Sequence, residues 1–266
     1  MKTLKEVKRQ QTAEAAKYKK IALAFTEENF KPQKKILGVL LTGSTARGDA
    51  RKGPYGFMID LTIVVKRFQD INLDEVLGED CEPDIPYHCV QIPGGHFLEV
   101  ELVTMETLNN IRRQPESAIF AKNESIIIFD KHGELKKWKD KAFIITEKDK
   151  KERALSHHFR MEYLLGDYRY EKWVYRQAWL QLAQICNEAC ECYCNFLYCI
   201  NGFFIPRKDW LTYLTHDMKF KHPKHNNIIE EIYTAAPTEA DVVRRVARLR
   251  ELRDWMKGYC KEKKWL

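Results

Sequence analysis

The chain has no uncharged apolar run approaching the roughly 18 to 20 residues that a bilayer span requires, so a membrane helix is not expected. Its first residues, MKTLKEVKRQQ, carry lysines but no apolar core and no small-residue cleavage site, so no secretory signal is expected there. There is no arginine-rich tail, no zinc-finger spacing and no Cys-x-x-Cys pair, and a dedicated nucleic-acid module is therefore not signalled. Internal repeats and low-complexity linkers are also absent. These absences leave a globular protein, expected to be cytoplasmic.

What is present is ordinary in bulk. The 266 residues are 44% hydrophobic and 31% charged, enough for two modest domains with separate cores. The formal net charge is +7. The basic residues are scattered or sit in short runs such as KKWKDK and KDKKER, as solvated helix faces do, although a phosphorylated ligand would also suit that charge. Of the eight cysteines, five fall between Cys186 and Cys199. With no secretory signal, reduced thiols are expected rather than a disulfide framework.

The pattern of the first half alternates helix and strand signals. Residues 4–30 favour helix, with Leu4, Val7, Ala15, Tyr18, Ala22 and Phe25 able to share one face. KKILGVLLTG reads as a buried strand entering a tight turn, and MIDLTIVV as a second strand. DIPYHCVQI and HFLEVELV flank Pro93-Gly94-Gly95 and read as a hairpin, and ESIIIFD as a last short strand. Helical stretches begin near Met105 and Pro115. Beyond about Lys148 strand signals fade. A long helical region follows, broken near Gly166, with a seam of Trp179, Leu182, Cys186, Ala189, Tyr193, Phe196 and Ile200. A final helix from about Thr238 turns Val242, Val246, Leu249, Leu252 and Met256 inward. The expected architecture is α/β (α+β): a mixed sheet domain over 1–145 and a C-terminal α-helical bundle over 146–266.

The segment that carries chemistry is LTGSTARGDARKGPYGFMIDLTIVV, from Leu41 to Val65. Gly43 permits close backbone approach to a phosphate. Ser44 can donate from the start of a helix, whose N–H groups favour anions. Asp60 projects from the strand that follows. Two carboxylates on one strand face can bind Mg²⁺ ions about 3.5–4 Å apart, serving attacking and leaving oxygens. Glu99 and Glu101 share a face of HFLEVELV by strand periodicity, so either can approach Asp60. A solvent-facing edge explains the same two charges.

GSTARG after a strand, followed by Asp60 on the next, resembles the signature of the polymerase-beta-type nucleotidyltransferase superfamily. The resemblance extends weakly to the small kanamycin- and lincosamide-type antibiotic nucleotidyltransferases, which also follow the catalytic domain with a helical bundle. It implies an NTP, ATP among the candidates, bound with Mg²⁺ through Gly43, Ser44 and Arg47. A nucleoside monophosphate would pass to a hydroxyl on a small-molecule acceptor. Asp60 is then the second metal carboxylate, and Glu99 or Glu101 the third, acting as metal ligand or base; Asp60 and Glu101 would hold the metal. The chain departs from the family at Met58, which stands where the first carboxylate belongs, and a thioether is a poor ligand for Mg²⁺. An alternative register, with Asp60 first and Thr62 second, stretches the loop after Ser44 beyond the family's usual length. The departure opens a second reading, a degenerate member of the fold that binds nucleotide or a partner without catalysis. A second copy of the chain is an admissible partner.

Other features divide between chemistry and plain structure. Arg47 and Arg51 can reach phosphates or sit on the surface, and Asp49 fits a capping role better than a stray metal ligand. Cys186, Cys190 and Cys194 recur every four residues and read as small core thiols, because a closed zinc site needs ligands from more than one segment. The same helix carries a stripe of Gln177, Gln181, Gln184, Glu188, Glu191 and Asn195. Gln184, Glu188 and Glu191 suit an acceptor pocket for a hydroxylated or cationic ligand, but a water-facing stripe or a dimer contact accounts for the stripe better. His157 and His158 read as helix-surface histidines.

Overall fold

The computed structural model describes residues 4–50, 52, 58–77, 87–92 and 94–266, with backbone alone for 4–11, 74 and 87. The chain divides into two compact units, Met1–Ile144 and Ile145–Leu266. Among the described residues no helix is long and apolar enough to cross a membrane.

The first unit opens with α1 (Leu4–Phe25), which passes into a π-helical turn over Thr26–Phe30. Strand β1 (Ile36–Leu41), the short α2 (Gly43–Arg47) and β2 (Met58–Val65) follow. After α3 (Leu73–Leu77) come the hairpin strands β3 (Tyr87–Ile92) and β4 (His96–Thr104). Then α4 (Met105–Asn109) and α5 (Glu116–Asn123) lead to β5 (Ile126–Asp130) and α6 (Glu134–Ala142). The sheet order is β3-β4-β2-β1-β5. All neighbours are antiparallel except β2 and β4, which run parallel, so the sheet is mixed.

The two faces of the sheet differ, as period-two alternation requires. Ile59, Leu61, Ile63 and Val65 of β2, with Leu98 and Val100 of β4, join Ala15, Tyr18 and Ala22 of α1 in one buried cluster. Met58, Asp60 and Thr62 therefore belong to the other face, with Phe97, Glu99 and Glu101 beside them in register. Gly38 marks close packing of α6 and β5 on β1: a Cβ there would lie 2.3 Å from Leu135 Cδ1 and 2.7 Å from the Phe129 carbonyl.

The second unit is entirely helical apart from its connections: α7 (Glu147–Leu164), α8 (Asp167–Tyr175), α9 (Trp179–Ile200), α10 (Lys208–Leu211), α11 (His225–Thr234) and α12 (Glu239–Glu262). Helices α7, α8, α11 and α12 all pack on α9. Thr146 and Thr238 cap α7 and α12 by accepting from the Asp149 and Asp241 amides. The α9 seam is buried from Leu182 to Ile200, and the five inward residues of α12 are buried with it. The long helical stretch breaks twice rather than once. Gly166 opens α8 as expected, but a second break falls at Gln177, whose φ of 54° is left-handed without a glycine to signal it.

His158 corrects the surface reading of that residue. It is 2% exposed, because it continues the inward stripe of Ala154 and Met161 along α7, while His157 is half-buried. A second buried imidazole ties the 201–238 segment to α9. His225 Nδ1 lies 3.1 Å from the Tyr193 hydroxyl and its Nε2 lies 3.0 Å from Thr215 Oγ1. Burial, then Lys221 nearby, push its pKa down to about 3.

A histidine held neutral in the fold binds fewer protons than in the unfolded chain, so stability is lost as pH falls through the unfolded value of about 6.5. Burial lowers His158 and His222 in the same direction. Urea unfolding at pH 7.5 and 5.5 is expected to show lower stability at the acid end, with His225 contributing roughly 1.4 kcal/mol across that interval. His225→Gln should remove one histidine's share of that slope.

Candidate active site

The site is assembled where β1 hands over to β2. Thr42 ends β1 and binds back to the neighbouring strand: its amide donates to the Asp60 carbonyl at 2.9 Å and its hydroxyl at 3.3 Å. Gly43 then turns the chain at φ 63° into the single helical turn of α2. That turn closes on Gly48, at φ 85°, with the Gly48 and Asp49 amides both donating to the Ser44 carbonyl at 3.0 Å. The Ser44 hydroxyl is half-buried and has no hydrogen-bond partner among the described residues.

Asp60 lies against this turn. A Cβ built on Gly43 would fall 1.7 Å from Asp60 Oδ2. Glycine at 43 is thus needed twice, for its backbone angle and for the carboxylate that occupies its side-chain direction. The parallel register sets Asp60 beside Glu99, on strands about 4.8 Å apart. Glu99 is half-buried and has no hydrogen-bond or ion-pair partner among the described residues. Met58, one step before Asp60 on the same face, is 42% exposed.

Glu101 is placed differently from Glu99, although the two share a face. Its Oε2 accepts from Thr62 Oγ1 at 2.9 Å and from the Lys122 ammonium. Lys122 also donates to Thr62 Oγ1 at 2.8 Å. Thr62 itself is fully buried. The structure therefore separates the two glutamates that periodicity alone leaves equivalent. Lys122 carries no signal of its own in the sequence, where AKNE looks like the ordinary polar end of a short helix. The only hint is its position near Ile119 and Phe120 on the buried side of α5.

Arg47 is turned toward Asp49, with Nε 3.3 Å from Asp49 Oδ2 and both side chains largely buried. Arg51 lies outside the described residues, as do residues 53–57 of the connecting loop. In the helical unit Glu188 pairs with Arg160 and Glu191 with Lys208, while Gln184 is exposed. The stripe's two carboxylates are thus already matched by cations of their own unit. Cys186, Cys190, Cys192, Cys194, Cys199 and Cys260 are buried thiols. Burial raises Cys186 and Cys260 to about 11 and Cys192 to about 12.

Among the described residues no group of three or more His, Cys, Asp or Glu side chains is placed to hold a metal ion. Two neighbouring carboxylates suit one hydrated Mg²⁺ that takes its other ligands from water and substrate phosphates. They do not furnish a two-ion site, since position 58 offers sulfur and Glu101 is engaged by Lys122.

No protein-family model matches the chain. No curated protein matches it either. Among solved structures it is similar to a nucleotidyltransferase-like protein from Exiguobacterium sibiricum 255-15, with a TM-score of 0.43 and 11% identity. The match covers 92% of this chain and 78% of that one. So distant a likeness carries no argument, and the reading of the site rests on its own residues.

The crowding at Gly43 gives a test of the site's geometry. Gly43→Ala must strain the backbone and displace Asp60, and should destabilise the first unit by about 2–4 kcal/mol in chemical denaturation. Gly48→Ala has the same backbone strain but nothing within 4 Å of its Cβ. It should cost only about 1 kcal/mol. Equal losses would mean that the Asp60 carboxylate does not pack on Gly43.

Proposed function

We propose that the first unit binds a nucleoside triphosphate together with one divalent ion and transfers the nucleoside monophosphate to a hydroxyl of a small-molecule acceptor. The observation that carries this reading is the placement of Asp60. Its carboxylate sits against the glycine of the GSTARG turn and beside Glu99, which has no partner among the described residues. A phosphate group and a hydroxyl nucleophile need such neighbours within one small area.

Asp60 and Glu99 would hold the Mg²⁺ ion, which would supply positive charge against the triphosphate. The turn contributes close backbone approach at Gly43 and the Ser44 hydroxyl, which has no partner among the described residues and can donate to a phosphate oxygen. Glu99 is the group able to take the proton of the acceptor hydroxyl, because no donor among the described residues occupies it. Glu101 is not, because Lys122 and Thr62 already hold its Oε2. The transfer forms a bond from the acceptor oxygen to the α-phosphorus and breaks the bond from that phosphorus to the β-phosphate oxygen. The electron pair leaves with pyrophosphate.

One observation favours a second reading, in which the site holds nucleotide without transferring it. The exposed Met58 stands where the resemblance places a metal carboxylate, and among the described residues no third His, Cys, Asp or Glu completes a metal group. Two assays on the full chain separate the readings: Mg²⁺-dependent pyrophosphate release from each NTP, and equilibrium NTP binding by calorimetry. Release establishes transfer or hydrolysis, which adding acceptor hydroxyls resolves. Binding without release establishes the second reading. If NTP neither binds nor turns over, both fail.

Two substitutions probe the assigned parts. Ser44→Ala removes a donor to a charged phosphate and should weaken NTP binding by on the order of 1.5–3 kcal/mol. Met58→Asp adds a hard oxygen on the Asp60 face at a position already exposed. It should leave the fold intact and raise Mg²⁺ affinity roughly tenfold. Unchanged Mg²⁺ affinity in the folded variant would deny β2 a metal-binding role.

A further inference from the structure

Among the described residues, the three most exposed large hydrophobic side chains are Tyr175, Tyr168 and Leu180, at 89%, 80% and 67%. All three belong to α8 or to the first turn of α9. Successive helical residues turn by about 100°, so Tyr168, Arg169, Lys172, Tyr175 and Arg176 share an arc of about 120° on α8. The two tyrosines stand about 10 Å apart along the axis. One face of a short helix thus interleaves exposed rings with cations.

The cations are not neutralised locally. Arg169 lies over the Tyr163 ring, 3.8 Å from its centroid, and donates to its hydroxyl. Lys172 lies over Trp173 at 4.7 Å, and Arg176 donates to the Lys172 carbonyl at 2.9 Å. None of the three pairs with a carboxylate among the described residues. Of the two carboxylates on α8, Asp167 is held by Arg250 at 2.7 Å, and Glu171 falls outside the arc.

We propose that this face of α8 binds single-stranded nucleic acid, with Tyr168 and Tyr175 stacking on bases and Arg169, Lys172 and Arg176 meeting phosphates. A second copy of the chain fits poorly, because two-fold pairing would set like charges against like. A lipid surface also fits poorly. Interfacial helices separate an apolar face from their cations, whereas rings and charges alternate here within one arc. The surface lies in the second unit and its test is independent of nucleotide binding by the first.

Fluorescence anisotropy of labelled oligo(dT) and oligo(rU), each of about 15 nucleotides, titrated with the full chain, tests this. Binding should be roughly micromolar at low salt, and log K should fall against log salt with a slope of about −2, as three phosphate contacts on a single strand require. Tyr168→Leu with Tyr175→Leu alters exposed side chains only, so the fold should survive and binding should weaken roughly tenfold or more. Polyglutamate, which carries charge but no bases, should bind more weakly and ignore that change. Lys172→Gln with Arg176→Gln should flatten the salt slope by about 1.4. Lys261→Gln with Lys263→Gln, on α12 and just beyond it, should leave both affinity and slope unchanged.

The proposal is overturned if neither strand binds at low salt, or if polyglutamate binds as tightly as the oligonucleotides. It is also overturned if binding survives loss of both tyrosines, or if the α12 lysines matter as much as Lys172 and Arg176. Tyrosine-dependent self-association in sedimentation, without oligonucleotide binding, would give the face to a second copy. Tyrosine-dependent binding to phosphatidylserine vesicles alone would give it to a membrane, and either result sinks the nucleic-acid assignment.

Discussion

The parallel pairing of β2 with β4 decides where every charge of the candidate site stands. Antiparallel neighbours could be joined by a tight turn, but these two strands are separated in sequence by α3 and the edge strand β3, so their register is fixed by packing rather than by a hairpin. On one side, Ile59, Leu61 and Ile63 with Leu98 and Val100 must all face α1 at once. A slip of one residue would turn that whole set to the opposite face. Burial of the apolar side therefore holds the polar side in place, and Asp60 stands next to Glu99 because their neighbours stand next to each other in the core.

The turn after β1 depends on the same pairing. Thr42 is bound through both its amide and its hydroxyl to the carbonyl of Asp60. The residue that offers the carboxylate thus also anchors the loop that faces it. Backbone and side chain of one aspartate carry two separate duties, and the Gly43 conformation is what lets them coexist. A wider turn, or a side chain at 43, would set the donors of α2 away from the carboxylate.

Much of this was legible in the sequence because it rests on local rules. Alternation placed Asp60 on a strand face and put both glutamates of HFLEVELV on another, and periodicity recovered α9 and α12 with their buried seams and α1 with Ala15, Tyr18 and Ala22 inward; the side chains of Leu4 and Val7 lie outside the described residues. The choice between Glu99 and Glu101 was not legible, since they are equivalent by period and differ only through Lys122, twenty-one positions beyond Glu101 in the chain. The break at Gln177 escaped for a related reason. No glycine or proline marks it, and only the packing of α8 and α9 selects a left-handed residue there. His158 was misread because two adjacent histidines look polar, while the spacing from Ala154 to Met161 places one of them inward. The 201–238 segment has short elements whose order depends on contacts such as Tyr193 to His225, which no window of sequence contains.

The buried thiols of α9 carry a practical corollary. A thiol reacts as its thiolate, and desolvation keeps Cys186 and Cys192 protonated far above neutral pH. Cys260 on α12 is shielded in the same way. Cys89, by contrast, is exposed on the edge strand of the sheet. An alkylating reagent applied at neutral pH would meet Cys89 directly, whereas modification at α9 would proceed at the rate at which the helical unit opens. The cysteine-rich helix thus gives the molecule an internal clock for its own local unfolding, readable residue by residue by mass spectrometry.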